Sequence, residues 1–340
     1  MVPTCEPIAT VGQAGATSRM AVNRDKPGRW KADVALSVSM YNDWFMMFAP
    51  KAFRETRVQT TKDVEATLHT TGNLRNIMPA TIREHPEILP TLRMSTCPPL
   101  AVDRLIGLAG VSVTLVKCME VEKKLPARMT LMAADKELAR IAAIIAKMAD
   151  PDIFVWLARK GQRATDLEIH RAATIVADRL CGAVANPIIR NAQEKRQLAA
   201  IKKWLESRGY KQITPGDGVI FDDMPPGTFS FRMNVPVRLE GGIKSVNIPI
   251  DVVISPKRMT KRHFPVFFEA KSAGDFTNTN KRRKEEATKM SQLRITYGKR
   301  VQFNLFLCGY FDSGYLGYEA AEGIDWVWEH RIDDLAKFGI

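Results

Sequence analysis

Two apolar segments that contain charged residues constrain this chain more than any other feature. Residues 248–255 read Ile-Pro-Ile-Asp-Val-Val-Ile-Ser, and residues 266–271 read Val-Phe-Phe-Glu-Ala-Lys. Segments this apolar predict buried strands, and the basic loop between them predicts a hairpin. Because side chains alternate along a strand, we expect Glu269 and Lys271 to share one face and Ala270 to point into the core.

Charged groups on buried strands require a compensating partner, and a divalent cation is the simplest one. An Asp, a hairpin and then Glu-x-Lys resembles the PD-(D/E)XK nuclease motif, with Ile250 directly before Asp251 and Pro249 one place earlier. The resemblance implies that Asp251 and Glu269 hold Mg²⁺, and that Lys271 orients and helps deprotonate the water that attacks a phosphodiester. The alternative is a surface hairpin with solvated charges.

The overall charge favours a polyanionic partner. The chain has 340 residues, which suggests roughly two domains, and its net charge is +13. We see no apolar run near the ~20 residues that span a membrane and no signal peptide, so no membrane partner is expected. The five cysteines are scattered and form no Cys-x-x-Cys pair. This pattern argues against a disulfide framework or a zinc site and fits a reducing cytoplasm.

The periodicity of apolar residues changes along the chain. Residues 1–19 show none and predict a disordered tail, so that Met20 could open the folded chain. Residues 20–180 repeat at helical spacing and predict a helical domain, which we interpret as the DNA-recognition domain. Residues 181–340 predict a catalytic domain in the order helix, three strands, helix, strand. The expected fold class is therefore α+β or α/β, with a restriction-endonuclease-like αβββαβ core and a mixed central sheet.

Residues 103–125 predict two helices separated by a tight turn at residues 110–112, with Ser112 capping the second helix. This pattern resembles a helix-turn-helix unit, whose second helix enters the major groove of DNA. Leu108 belongs to its expected core, while Thr114 and Lys117 would face outward and contact DNA. The alternative is a plain helical hairpin inside a helical domain.

Two basic clusters flank the proposed metal site. Lys281, Arg282, Arg283 and Lys284 open a predicted helix, where cations oppose the helix dipole, so a nearby anion would explain their position. DNA phosphate is the natural candidate. The other expected DNA contacts are Asn278 and Asn280 before that helix and Lys257 and Arg258 in the hairpin loop. The alternative is a solvated basic helix.

Glu194 lies in the middle of a predicted helix that precedes the strands. Many nucleases with this motif carry a further acid on the first core helix, so Glu194 is a fourth candidate catalytic residue. The alternative is a solvated charge within reach of Arg190, four residues earlier.

From about Met20 to the C-terminus, the chain resembles the XamI family of type II restriction endonucleases. The resemblance rests on three segments: residues 190–197, residues 269–286 and residues 306–312. It implies Mg²⁺-dependent cleavage of double-stranded DNA at a short palindromic site and a cognate DNA methyltransferase that protects the host. Cutting both strands of a palindrome also predicts a twofold-symmetric homodimer.

Two other functions stay open on the sequence alone. A repair or recombination nuclease of the same fold would cut DNA according to its structure and not its sequence. A non-catalytic helix-turn-helix regulator would bind DNA without cutting it. Strong salt dependence of DNA binding is expected of all three proteins and does not separate them.

Overall fold

The computed structural model describes residues 21–159, 161–214, 221–238, 245–258, 264–277 and 279–340, without side-chain detail at positions 222 and 280–282. The predicted tail, residues 1–19, lies outside the described residues. The described chain forms two compact units. Residues 43–193 form the helical unit, and residues 21–42 with residues 194–340 form the sheet unit.

The helical unit confirms the prediction of a helical N-terminal region. Its core consists of fully buried apolar side chains, which include Leu68, Leu105, Leu115, Leu138 and Trp156. Burying a side chain of this size contributes about 1.5–3 kcal/mol. The helices are α1 (Pro27–Thr70), α2 (Pro79–Glu84), α3 (Leu89–Met94), α4 (Val102–Ala109), α5 (Val113–Lys117), α6 (Leu131–Met148) and α7 (Asp166–Ser207).

The turn between α4 and α5 forms as expected. Gly110 ends α4 in the left-handed conformation, and the Ser112 hydroxyl accepts a hydrogen bond from the Leu115 backbone N–H. Thr114 and Lys117 are exposed. Leu108 was expected in the core, but its side chain is 47% exposed, because it lies at the edge of the helix face that Leu105 and Ala109 bury.

Helix α7 is longer than the sequence indicated. Proline commonly opens a helix, so Pro187 by itself predicts a helix start, but the structure continues α7 through it from Asp166 to Ser207, past the predicted domain boundary at residue 180. Contrary to expectation, α7 is also long and apolar enough over one window to cross a membrane. This is weak evidence for a membrane span, because 44% of that window is buried inside the protein and a core helix passes the same test.

The sheet unit contains a six-stranded mixed sheet among the described residues. Its strands follow the chain order: β1 (Lys211–Gln212), β2 (Thr228–Arg238), β3 (Ser245–Ser255), β4 (Val266–Ala273), β5 (Gln302–Gly309) and β6 (Asp325–Trp328). The pairs β2–β3 and β3–β4 are antiparallel, and the other three neighbouring pairs are parallel. Helix α8 (Thr279–Tyr297) connects β4 to β5, and α9 (Ser313–Ala321) connects β5 to β6. A mixed α/β fold is thereby confirmed.

Both faces of the sheet are covered, which explains why its central strands are apolar on both sides. On one face, α8 contributes Met290 and Leu293 to an apolar layer that contains Val253, Phe267 and Phe303. On the other face, the end of α7 contributes to a second layer, which contains Ile201, Trp204, Val252, Phe268 and Phe306.

The first residues of the described chain belong to the sheet unit because they bind its edge strand, β6. The backbone N–H groups of Val22 and Asn23 donate to the Asp325 carboxylate at 2.5 and 2.9 Å. The Asn23 side chain also donates to the Trp326 carbonyl at 2.7 Å. Further along α1, the Ser37 hydroxyl accepts a hydrogen bond from Gly309 N–H at 2.7 Å.

Gly309 ends β5 in a conformation that only glycine fits. Its φ angle is +100°, and a Cβ atom there would lie 2.1 Å from the Ala273 carbonyl oxygen. We expect Gly309→Ala to lower the free energy of unfolding by more than about 1 kcal/mol. Gly182→Ala is the matched control, because a Cβ added at this position inside α7 would meet nothing within 4 Å, so it should be neutral or stabilising. Thermal unfolding midpoints that shift equally in both variants would contradict this account.

Candidate active site

The site forms where β2 and β3 change faces. In β2, Phe229 and Phe231 pack in the α7 layer, whereas Met233 and Val235 pack in the α8 layer. In a regular strand all four would share one face, because they are spaced by two residues. The residue between the two sets is Arg232, whose φ of +52° is rare for a residue other than glycine and costs about 1–2 kcal/mol. This single left-handed residue therefore switches the face of the sheet toward which the following side chains of β2 point.

Asp251 lies opposite this reversal, on β3. The β2–β3 ladder pairs Phe231 with Val252 and Met233 with Ile250, and it contains no pair between Arg232 and Asp251. On the other side, the β3–β4 ladder begins at Val252 and omits Asp251 as well. The Asp251 carboxylate instead accepts a hydrogen bond from Ala270 N–H of β4 at 2.9 Å. The side chain is thus fixed against the strand that carries the other two motif residues.

Glu269 and Lys271 share the face of β4 that lies under α8, as the alternation predicted. The Lys271 Nζ lies 3.1 Å from Glu269 Oε1. A second lysine, Lys289 of α8, reaches the same oxygen at 2.6 Å. The other oxygen, Glu269 Oε2, is buried and has no hydrogen-bond partner among the described residues. One carboxylate oxygen therefore binds two ammonium groups, and the second remains available.

The site holds closely spaced negative charges in a buried setting. Burial raises the pKa of Asp251 to about 6, and the neighbouring Glu269 charge adds to this effect, while the Ala270 N–H and two lysines oppose it. Burial lowers the pKa of Lys271, but the charges of Glu269 and Glu286 outweigh burial, and the net pKa is raised. Repulsion between two carboxylates of this kind is relieved when a cation binds between them.

These residues fit Mg²⁺. No group of three or more His, Cys, Asp or Glu side chains forms a metal cluster within the described part of the chain. Mg²⁺ commonly uses only one or two carboxylates and keeps water or phosphate oxygens as its other ligands. Asp251 and the unpartnered Oε2 of Glu269 supply such a pair.

Glu194 lies on α7 within the sheet unit, and its partner is Arg232 and not Arg190. Its carboxylate accepts hydrogen bonds from Arg232 Nε at 3.2 Å and from Arg232 Nη2. The hydrogen bond and charge of Glu194, with a smaller effect of Asp251, hold the pKa of Arg232 above its ordinary value. Arg232 thus contacts Glu194 and senses the charge of Asp251, and the catalytic role of Glu194 stays a prediction.

The predicted DNA contacts have different surroundings. Asn278 lies outside the described residues, as do the side chains of Asn280, Lys281 and Arg282. The Arg283 guanidinium stacks 3.5 Å from the Tyr318 ring centroid, and Lys284 is exposed. The Lys257 Nζ donates to the Arg208 carbonyl at 2.6 Å, near the end of α7. Arg258 is exposed.

The sequence analysis missed three residues of this site: Arg232, Glu286 and Lys289. The Glu286 carboxylate on α8 is fully buried and lies 3.5 Å from Lys271 Nζ. A signal for it exists, because Glu286, Met290 and Leu293 follow one another at helical spacing and form the buried stripe of α8. No local pattern marks Arg232, whose importance depends on its backbone angle.

Comparison with known proteins gives two sequence matches. The model of the XamI restriction endonuclease family matches residues 72–328, more than half of the chain. The type II restriction enzyme SalI of Streptomyces albus G is 53% identical over 318 residues, which cover 94% of this chain and 99% of that enzyme.

Among solved structures, protein VC1899 from Vibrio cholerae matches 81% of this chain and 55% of its own at 14% identity. The TM-score of that match is 0.26, so no conclusion is drawn from it.

The activity class that follows is that of a type II restriction endonuclease, an enzyme that cleaves DNA. The chain belongs to the XamI restriction endonuclease family. Membership decides against the two other functions that the sequence left open, the structure-specific nuclease and the non-catalytic regulator.

Proposed function

We propose that the enzyme hydrolyses both strands of double-stranded DNA at a short palindromic site, with Mg²⁺ held by Asp251 and Glu269 and with Lys271 as the catalytic lysine. The observation that carries the proposal is the buried, unpartnered Oε2 of Glu269, which lies beside Asp251. Lys271 is the next residue on the same face of the strand. This arrangement supports the PD-(D/E)XK assignment and the αβββαβ interpretation of the core, with the two-residue β1 before it and α9 and β6 after it as additions.

Each residue has a distinct task in this mechanism. When bound, Mg²⁺ supplies positive charge that polarises the phosphodiester and stabilises the charge that develops during in-line attack. Asp251 and Glu269 would hold the ion through their carboxylate oxygens. Lys271 holds its proton because two carboxylates face it, and its N–H groups would orient the attacking water and the phosphate oxygen. Arg232, 63% exposed at its side chain, is placed to attract the phosphate backbone.

The first experiment combines metal dependence with one substitution. Purified enzyme should cut unmethylated phage DNA into discrete fragments with Mg²⁺ and leave it intact with EDTA. Asp251→Asn should slow cleavage roughly a thousandfold or more, because several kcal/mol of charge stabilisation depend on the metal. DNA binding should persist, as a gel-shift assay would show.

The control is Asp223→Asn, which removes an exposed carboxylate in the same unit and should cut at the wild-type rate. Full activity of Asp251→Asn would show that the metal site is assigned to the wrong residues.

The helical unit is the proposed recognition domain. The exposed positions of Thr114 and Lys117, on a helix that follows a tight turn, support a helix-turn-helix interpretation. The basic residues that open α8 and those beside the hairpin would bind DNA phosphates near the cleavage site.

Lys117→Gln tests the recognition helix. It should weaken binding to cognate DNA by roughly 1–3 kcal/mol if the side chain contacts a base. Lys136→Gln on α6 removes another lysine from the same unit and serves as the control. Equal affinities of the two variants, measured by fluorescence anisotropy, would exclude α5 as the recognition helix.

Cleavage of both strands of a palindromic site supports a homodimer. Membership of a restriction endonuclease family supports a cytoplasmic location with the host DNA and a cognate methyltransferase. Light scattering of the enzyme on a duplex that carries one site should give the mass of two chains per duplex. One chain per duplex at saturation would refute the dimer.

A further inference from the structure

Helix α8 carries two adjacent acids, of which Glu286 is buried and Glu285 is exposed. Glu286 is 0% exposed, whereas Glu285 points into solvent. Burying a carboxylate costs several kcal/mol unless it is paired, so a buried acid with few partners points to a specific interaction. From its contacts we infer that Glu286 is a positioning residue, which holds the Lys271 ammonium group from the α8 side. The inference rests on the proposed catalytic role of Lys271.

Glu269 alone cannot fix Lys271. Its Oε1 is shared between Lys271 at 3.1 Å and Lys289 at 2.6 Å. Glu269 is also the proposed metal ligand, so its charge is divided among three cations in the working enzyme. Glu286 Oε1, 3.5 Å from Lys271 Nζ, faces no second ammonium group among the described ion pairs. Among the described ion pairs, Glu286 is therefore the acid that contacts Lys271 alone.

Glu286 is itself held in place by α9. The Tyr315 hydroxyl donates to Glu286 Oε2 at 3.1 Å, and Tyr315 is 3% exposed. Further inside, Glu319 lies beside Tyr315 and is 1% exposed. Burial raises the pKa of Glu319 to about 8 and that of Glu286 to about 7, where the charge of Lys271 opposes the rise, so Glu319 is the acid that loses its proton less readily. One oxygen of Glu286 is thus fixed by a rigid, buried phenol, and the other faces the lysine.

The position of Glu286 has a structural cost. With Met290 and Leu293 it forms the buried stripe of α8, a place where an apolar side chain would pack without desolvation cost. Lys271 is mostly buried as well, with 18% of its side chain exposed. In such a setting, a pair of opposite charges restricts the ammonium group to a narrow set of positions, and misplacement of a catalytic group by 1 Å costs about 100-fold in rate.

The test compares Glu286→Gln with Glu285→Gln in the full-length enzyme. The two variants replace acids at adjacent positions of α8 with the neutral side chain of the same shape. The substrate is a plasmid that the wild-type enzyme cuts once, and single-turnover rates are measured with saturating Mg²⁺. Glu286→Gln should cut roughly 10–100-fold more slowly, with DNA affinity in EDTA and the Mg²⁺ concentration for half-maximal rate both unchanged. Glu285→Gln should match the wild type. Tyr315→Phe keeps Glu286 but removes the hydroxyl that donates to its Oε2, and it should give a smaller loss of cleavage rate.

A merely structural role predicts something different. It would lower the unfolding midpoint of Glu286→Gln and leave the cleavage rate of the folded enzyme unchanged. Equal rates for the Glu286→Gln and Glu285→Gln variants, or a parallel loss of DNA affinity, would overturn the inference.

A second measurement applies even if Glu286→Gln folds poorly. Lys271→Met leaves Glu286 as a buried acid without its lysine and should lower the unfolding midpoint by several degrees. Adding Glu286→Gln to that variant should restore part of the loss, because the two side chains interact. No recovery would contradict the pairing.

The two hypotheses can fail separately. If Lys271→Met still cuts at the wild-type rate, the proposed catalytic site is wrong. If Lys271→Met is inactive while Glu286→Gln cuts like Glu285→Gln, only the positioning role of Glu286 fails.

Discussion

The sheet unit depends on the interruption of two strand ladders at Asp251. A continuous ladder would have buried this residue between backbone hydrogen bonds, and its carboxylate would have no reason to face β4. The left-handed Arg232 and the face change of β2 and β3 remove that continuity. Asp251 then binds the Ala270 N–H, which places it beside Glu269. Backbone strain at one position thus brings together two acids from different strands, as strained residues at functional sites commonly do.

Charge compensation explains the residues around this interruption. Two buried acids, Glu269 and Glu286, alternate with two lysines, Lys271 and Lys289, under α8. Because the two acids and the two lysines balance in charge, these four side chains can be buried together beside β4. Burial first, and then the Glu269 charge, raise the pKa of Asp251 although the two lysines oppose the rise, and a bound metal ion would favour its charged form.

Sequence reasoning succeeded where the signal was local. The apolar runs predicted β3 and β4, and the turn at residues 110–112 was recognised from Ser112, which caps α5. The structure differs from the sequence-based predictions at Leu108, which is exposed, and at Pro187, which lies inside α7. It also differs at residues 21–42, which belong to the sheet unit. Each of these depends on distant partners: the helix face that meets a core, the packing that keeps α7 continuous, and the hydrogen bonds from Val22 and Asn23 to Asp325.

Residue order alone was enough to predict Asp251, Glu269 and Lys271 as one site and the strands that carry them, because the spacing of apolar residues is set by neighbouring positions. It also carried the family resemblance, which the comparisons confirmed. Folding was needed to establish that Lys289 shares Glu269, that Glu286 faces Lys271, and that Glu194 binds Arg232. Glu194 and Arg232 are 38 positions apart, and no local period encodes a pairing over such a distance. Such partners are selected by the cost of leaving a charge unpaired in the interior, which arises only once the chain has folded.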